Sequence, residues 1–265
     1  MKQVLVGPED AHLGYVELEG TDPALVYLHG LGASAPVYFT RTTQEPGLAG
    51  RRILMIDFLG FGISDRPAGF GYMLEDHADS IARAFDSLGL SGVDIVAHSM
   101  GGTIALVLAR RRPDLVRRLV LAEPTSGPCV RPRVAPFTEA EFVEHGFDQA
   151  LLDAGPAWAA TMRLADPVSF YRTETALGSQ AALVTRDLLL NLAVPCALVL
   201  GELTAGLAYD PAIFTSLVPV RTVAGAAHCM MLDNPSGFAT AILETLSELA
   251  DDGRNPVQTR GAGAR

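Results

Sequence analysis

The fold is decided by the stretch Val93-Asp94-Ile95-Val96-Ala97-His98-Ser99-Met100-Gly101-Gly102-Thr103-Ile104-Ala105. Its first five residues form a short apolar run typical of a buried strand, and a helical pattern begins by about Gly102. Ser99 therefore lies on a sharp strand-to-helix turn, with small residues two positions before and after it. Such a turn strains the serine backbone and lifts the hydroxyl above the sheet, at the positive end of the helix. The pattern predicts a nucleophile elbow, although Ala97 stands where glycine is commoner.

Short apolar runs alternate with helical patterns along most of the chain. The helices are predicted over Leu74 to Leu88, Thr103 to Arg112 and Phe238 to Leu249. This alternation predicts a mainly parallel sheet with helices on both faces. We expect the opening segment, up to about Glu19, to form an antiparallel hairpin at one edge. The runs predicted as strands are Val16 to Leu18, Ala24 to Leu28, Ile53 to Ile56, Val93 to Ala97, Leu119 to Ala122, Ala197 to Leu200 and Val220 to Val223.

The alternation stops between Pro124 and Leu192, where the patterns over Glu139 to Phe147 and Leu177 to Leu190 are helical. A segment of this length is too long for a simple loop, so we interpret it as an inserted unit. The sequence thus predicts a core domain of residues 1–123 and 193–250 and a helical cap of residues 124–192. The polar, glycine-rich tail, residues 251–265, is expected to be disordered.

Composition excludes several classes of protein. Of the 265 residues 49% are apolar and 19% charged, so a mostly disordered chain is excluded. The net charge of −10 would repel a phosphate backbone, and we expect no nucleic-acid partner. We find neither a run long enough to span a membrane nor a signal-peptide core, and expect a cytoplasmic protein. Three widely spaced cysteines predict neither a zinc site nor a disulfide framework: Cys129, Cys196 and Cys229. One basic cluster is expected to be solvated around a helix end: Arg110, Arg111, Arg112, Arg117 and Arg118.

Three further motifs accompany the serine turn in a fixed order. They are His29-Gly30-Leu31-Gly32, the turn from Asp57 to Asp65, and Gly225-Ala226-Ala227-His228 followed by Asp233-Asn234-Pro235. With these motifs the chain resembles the α/β-hydrolase superfamily over essentially its whole length except the tail. The resemblance implies that the first motif is an oxyanion loop and the last a catalytic histidine loop. It also implies a helical cap that roofs the active site.

A serine nucleophile needs a base within hydrogen-bond reach. Of the six histidines we favour His228, which follows a predicted strand and comes after Ser99 in the chain order that the resemblance requires. We expect His29 to hold its loop in shape and the side chain of His98 to diverge from its neighbour. An oxyanion would be stabilised by the backbone N–H of Met100 and, by resemblance, that of Leu31.

The acid of the triad departs from the family pattern. Thr204 occupies the place, just beyond the seventh strand, where the resemblance implies an aspartate, and a threonine cannot stabilise an imidazolium. Glu123 ends the sixth strand, at the same edge of the sheet as the nucleophile, where some members of the superfamily place their acid. We favour Glu123 and leave Asp210 and Glu202 as alternatives. Asp57 better suits a structural turn.

Ser99 predicts acyl-enzyme chemistry with no metal and no cofactor, on an ester, lactone, thioester or C–C bond of a small apolar substrate. It argues against dehalogenase and epoxide-hydrolase chemistry, which in this fold use an aspartate nucleophile. A cofactor-free lyase or perhydrolase and a ligand receptor stay open, as does assembly into a homo-oligomer. Six cap residues are candidates for an apolar pocket lining, although most such residues pack internally: Phe137, Phe142, Phe147, Trp158, Met162 and Phe170.

Overall fold

The computed structural model describes residues 1–125, 133–204 and 218–251, without the side chains of residues 180–186 and 251. Cys129, Asp210 and all but the first residue of the predicted tail lie outside these ranges. The described residues contain one sheet of eight strands, in the spatial order β1-β2-β4-β3-β5-β6-β7-β8. The strands are β1 (Lys2–Leu5), β2 (His12–Leu18), β3 (Thr21–Leu28), β4 (Arg51–Ile56), β5 (Val93–His98), β6 (Val116–Ala122), β7 (Cys196–Gly201) and β8 (Val220–Val223).

The pairing confirms the predicted mainly parallel sheet. β1 and β2 form the expected antiparallel hairpin at one edge, and β2 is also antiparallel to β4. All pairs from β4 through β3 and β5 to β8 are parallel. β2 begins at His12, four residues earlier than predicted, because it pairs with β1 over this part. The chain turns to opposite sides of β3 when it forms β4 and β5, and such a switch point opens a crevice at the carboxyl ends of parallel strands.

Helices cover both faces of the sheet. Before β6 the core contains α1 (Ala35–Thr43), α2 (Leu74–Ser87) and α3 (Met100–Arg111). After β7 it contains α8 (Met230–Asp233) and α9 (Pro235–Asp251), and the helices α4 to α7 lie between β6 and β7. α3 starts directly after Ser99, whereas the sequence predicts a start at Thr103. The prediction is late because Gly101 and Gly102, which disfavour a helix, occupy the first turn. A Cβ at Gly101 would lie 2.5 Å from the His29 carbonyl oxygen, so these glycines serve close packing and do not delay the helix.

The described residues between β6 and β7 contain helices and no strand. We call residues 133–192 the helical insertion; that it is a separate cap bounded at 124 and 192 stays a prediction. It contains α4 (Glu139–Glu141), a π-helical turn (Phe142–Gly146), α5 (Phe147–Asp153), α6 (Pro156–Met162) and α7 (Pro167–Leu190). α7 begins ten residues before the predicted Leu177. Its start is fixed by Asp166, whose carboxylate accepts a hydrogen bond from the Ser169 N–H at 2.8 Å, with a proline in the first turn.

The basic cluster is not uniformly solvated, which corrects the expectation for Arg118. Its side chain is buried, and its Nε donates to the equally buried Asp94 carboxylate at 2.8 Å. Arg112 instead binds the exposed Asp86 with two hydrogen bonds of 2.8 Å. A buried carboxylate at the start of β5 demands a charged partner, and this local need overrides the general preference of arginine for water. Among the described helices, none is both long and apolar enough to cross a membrane.

Candidate active site

Ser99 lies at the predicted strand-to-helix turn, with φ = 52° and ψ = −120°. A non-glycine residue in this region is strained, and the strain persists where surrounding contacts determine the backbone. Here the Ser99 N–H donates to the Ala122 carbonyl at 2.9 Å, and its own carbonyl accepts from the Gly102 N–H at 2.9 Å. The turn is therefore held between β6 and the start of α3, and the serine side chain stands half-buried at the helix N-terminus.

The loop after β3, residues 29–32, which we call the β3 loop, packs directly against this turn. A Cβ at Gly30 would lie 2.9 Å from His98 Nδ1 and 3.2 Å from Ser99 Cβ, so a glycine is needed for this approach. Within the described residues, neither the Leu31 N–H nor the Met100 N–H donates a hydrogen bond to another protein group. Two backbone donors beside the serine are thus available to an anionic oxygen.

Glu123 and His228 are joined by a short hydrogen bond, 2.6 Å between Oε2 and the ring Nδ1. The Glu123 side chain is 3% exposed and that of His228 is 38% exposed. The second carboxylate oxygen of Glu123 accepts from the Gly201 N–H at 2.7 Å, and its backbone N–H donates to the Val199 carbonyl. A carboxylate fixed in this way selects the histidine tautomer with a proton on Nδ1, which leaves Nε2 free to accept one.

Of the two alternative acids, Glu202 is described, and its carboxylate bonds elsewhere than to His228. Glu202 accepts from the Gly225 N–H at 2.7 Å, on an exposed turn. Thr204, at the position where the resemblance implies aspartate, has a buried hydroxyl without a hydrogen-bond partner in the described part of the chain. Asp210 lies outside the described residues. Asp57 has the expected structural role, because its carboxylate accepts from the Ala35 N–H at 2.6 Å and the Ser34 hydroxyl at 2.9 Å.

His98 takes a part that the sequence did not indicate. Its Nε2–H donates to the His228 backbone carbonyl at 2.9 Å, and the two rings lie 4.6 Å apart. Burial lowers the pKa of His98 well below its ordinary value, so the ring is neutral. It therefore holds the loop of His228 beside the Ser99 turn without adding positive charge there. No hydrogen bond joins the Ser99 hydroxyl to the His228 ring in the described structure, and such bonds are often long before substrate binds.

His29 holds the β3 loop in shape. Its Nδ1–H donates to the Gly30 carbonyl at 2.7 Å, and its Nε2 accepts from the Phe58 N–H at 3.1 Å. Burial lowers the pKa of this ring as well, which favours the neutral form that can both donate and accept. The loop that presents Leu31 is thereby tied to the loop after β4.

The helical insertion contacts the β3 loop through its aromatic residues. The Trp158 Nε1–H donates to the Leu31 carbonyl at 2.8 Å. Of the residues considered for a pocket lining, Phe142, Met162 and Phe170 are fully buried, and the rings of Phe142 and Phe170 stack at 5.9 Å. Phe142 packs inside the insertion, whereas Phe170 and Met162 also lie close to Gly32 of the β3 loop.

The residues that sequence reasoning missed are positioned by contacts between distant segments. His98 and Trp158 bond to backbone carbonyls 130 and 127 residues away. Gly201 is the one position where the sequence could have indicated such a contact. In the structure a Cβ at Gly201 would lie 2.5 Å from the Ala227 carbonyl oxygen, so only a glycine fits there. A glycine that ends a buried strand suggests a close backbone approach, here by the loop that carries His228.

Known proteins share parts of this sequence. Over 121 residues the chain is 36% identical to 2-hydroxy-6-oxo-2,4-heptadienoate hydrolase from Pseudomonas putida. This aligned stretch covers 45% of this chain and 43% of the relative. It is 37% identical over 110 residues to haloalkane dehalogenase 2 from Mycobacterium tuberculosis, covering 40% and 36%. The chain therefore matches less than half the length of these curated relatives.

Solved structures share the architecture over nearly the whole chain. The enol-lactonase from Burkholderia xenovorans superposes with a TM-score of 0.77 at 18% identity, covering 93% of this chain and all of that one. The thermophilic esterase from Thermogutta terrifontis gives 0.74 at 20% identity, covering 94% and 99%. At such identities the likeness concerns the fold alone. The family model for the alpha/beta hydrolase fold matches residues 23–193, and the chain belongs to this family.

Proposed function

We propose that this protein is a serine hydrolase that cleaves an ester-like bond of a small apolar substrate through an acyl-enzyme. The observation that carries the proposal is the 2.6 Å hydrogen bond from a buried Glu123 to His228, on a loop that His98 holds beside the strained Ser99 turn. A nucleophile, a base and an orienting carboxylate are the groups that acyl transfer needs. The sequence relatives named as hydrolases support the reaction class.

In the proposed mechanism, the Ser99 oxygen attacks the substrate carbonyl while His228 Nε2 takes the hydroxyl proton. The negative oxygen of the tetrahedral intermediate accepts hydrogen bonds from the Leu31 and Met100 N–H groups. Collapse breaks the bond to the leaving group, which receives the proton from His228 and leaves an acyl-serine. Water then attacks this ester with His228 again as base, and the bond to the Ser99 oxygen breaks as His228 returns the proton to that oxygen and the acid product is released. The Glu123 side chain accepts the hydrogen bond from His228 Nδ1 and stabilises the imidazolium.

The character of the surfaces around the β3 loop supports a small apolar substrate. A Cβ built at Gly32 would meet the Phe170 ring, the Met162 side chain and the Trp158 indole nitrogen within 3.3 Å, so the insertion covers this loop with largely apolar side chains. Water excluded from such surroundings strengthens the hydrogen bonds that stabilise an oxyanion. Whether the scissile bond belongs to an ester, lactone, thioester or activated diketone is decided by assay.

Covalent labelling tests the proposal directly. A fluorophosphonate probe should modify the wild-type chain at Ser99, and should leave Ser99→Ala unlabelled although that variant unfolds at a similar temperature. A panel of p-nitrophenyl esters, lactones and diketones should then identify the bond class. Turnover should survive dialysis against a chelator, because no step uses a metal. An unlabelled wild-type chain would indicate a receptor, and labelling without hydrolysis of any of these substrates would favour the lyase or perhydrolase class.

A further inference from the structure

A hydrogen bond links the helical insertion to the β3 loop at Leu31, whose backbone N–H the proposed mechanism uses to stabilise the oxyanion. Trp158, in α6, donates its indole N–H to the carbonyl of Leu31 at 2.8 Å. Leu31 is the residue whose own N–H faces the developing negative charge in the proposed function. A side chain of the insertion is therefore bonded to the residue that supplies a candidate oxyanion donor.

The backbone next to this bond is closely packed by side chains of the insertion. Gly32 has φ = 64°, and a Cβ there would lie 3.0 Å from Trp158 Nε1, 3.0 Å from Phe170 and 3.3 Å from Met162. The peptide between Leu31 and Gly32 therefore packs closely against the insertion. Its orientation is set by the indole N–H, since a carbonyl that turned away would leave a polar group unpaired in apolar surroundings.

The face of the Trp158 indole ring is covered by an arginine that is itself bound to a buried carboxylate. The Arg133 guanidinium lies 4.2 Å from the centroid of the Trp158 ring, a cation–π contact. Arg133 Nη1 also lies 3.3 Å from the carboxylate of Glu174, which is 2% exposed and accepts the Val134 N–H at 3.0 Å. A buried carboxylate on α7 thus fixes the arginine, the arginine covers the indole, and the indole bonds to the β3 loop.

We propose that Trp158 is a positioning residue of the oxyanion site, which aligns the Leu31 N–H through the hydrogen bond to the Leu31 carbonyl. The inference rests on the proposed function, since it concerns the same site. It adds that the insertion contributes to the chemical step and not only to substrate binding. Trp158 touches no reacting atom in this account, and it acts through the β3 loop.

The substitution Trp158→Phe keeps an aromatic ring beneath Arg133 and removes the N–H. Deleting an oxyanion donor lowers kcat by about 10²–10³. Here the donor is displaced and not deleted, so we expect a smaller loss, roughly tenfold in kcat for p-nitrophenyl acetate. KM should stay within about twofold, because a small acetyl group needs little contact with the insertion. Inactivation by a fluorophosphonate should slow by the same factor as kcat, since phosphonylation places a negative oxygen in the same site.

Tyr171→Phe is the matched control. The Tyr171 hydroxyl donates to the Phe137 carbonyl at 3.0 Å, so this variant also loses one hydrogen bond from a side chain to the backbone, but inside the insertion. Its kcat should equal that of the wild type. The inference is overturned if Trp158→Phe keeps the wild-type kcat, if it changes only KM in proportion to acyl length, or if both variants lose kcat equally. A wild-type chain that no fluorophosphonate labels would instead overturn the proposed function.

Discussion

Replacing Glu123 by glutamine tests the link between the sheet and His228. The carboxylate accepts two hydrogen bonds, from the Gly201 N–H at 2.7 Å and from His228 Nδ1 at 2.6 Å, and both donors are fixed by their own surroundings. A glutamine has one acceptor oxygen and one NH₂ group that can only donate. If the oxygen faces Gly201, the NH₂ faces His228 and selects the tautomer with a proton on Nε2. That tautomer cannot accept the proton of Ser99.

The opposite orientation is also unfavourable. With its oxygen toward His228, the glutamine places its NH₂ against the Gly201 N–H, and two buried donors then face each other without an acceptor. In either case the negative charge that stabilises the imidazolium is lost. Removal of the orienting carboxylate has cost about 10⁴ in kcat in a serine protease. At 1.36 kcal/mol per tenfold change, this corresponds to about 5.4 kcal/mol of transition-state stabilisation.

The assay is kcat/KM for a p-nitrophenyl ester that the wild type hydrolyses, with circular dichroism to show that the variant is folded. Glu123→Gln should lower kcat/KM by about four powers of ten. Glu202→Gln is the matched control, because Glu202 binds Gly225 on the neighbouring turn, and its effect should be mild. Asp210→Asn should also have only a mild effect on kcat/KM. The reasoning is refuted if Glu123→Gln retains more than a tenth of the activity, and above all if Asp210→Asn is the damaging change.

Three further predictions follow from the same structure. Ser99→Ala should abolish turnover, as should His228→Ala, and the double variant should lose no more than either alone; Ser99→Gly should also be inactive, yet unfold at higher urea, because relief of the strained φ of 52° stabilises by roughly 1–3 kcal/mol. Full burial lowers the pKa of His77 to about 3, so between pH 6.5 and 3 the unfolded chain binds one more proton than the folded chain. The free energy of unfolding therefore falls as the pH falls. In urea titrations at pH 6, 5 and 4, His77→Phe should reduce the dependence of this free energy on pH by about 1.4 kcal/mol per pH unit. Arg118→Met should cost about 3–5 kcal/mol of stability, because it removes both hydrogen bonds from arginine to the buried Asp94 and leaves only Arg117 at 4.0 Å; substitution of Asp94 by leucine in the same chain should recover most of this loss, as urea titration would show.

The sheet could be predicted from local sequence because its buried strands are apolar over most of their length. The runs from Ala24 to Leu28 and from Val93 to Ala97 lie inside β3 and β5, and Asp94 is the single charged residue that interrupts them. Predictions failed where a local pattern was governed by a partner far along the chain. β2 extends to His12 because β1 pairs with it, and Arg118 is buried because Asp94 lies on the adjacent strand.

In the candidate site, the residues and the contact of Glu123 with His228 could be predicted, whereas the contacts made by His98 and by the helical insertion could not. Ser99 and His228 stand in motifs whose spacing is local, so the sequence alone indicates them. The hydrogen bond from Trp158 to Leu31 depends instead on how the helical insertion sits over the core, and no periodicity encodes that contact. The same is true of His98, which looks like an ordinary strand residue until the His228 loop is placed beside it.

The position of the acid follows from the register of the sheet. His98 pairs with Ala122, and Ala122 pairs with Val199, so Ser99 and Glu123 follow β5 and β6 at the same level, where β7 continues for two more residues to Gly201. A carboxylate following β6 and one following β7 can then reach the same loop, since parallel strands are less than 5 Å apart. Glu123 uses this equivalence: it bonds to the Gly201 N–H at the end of β7 and to His228 at once. The threonine at position 204 is therefore compatible with the proposed triad, because the proposed mechanism requires a carboxylate within reach of His228 and not on a particular strand.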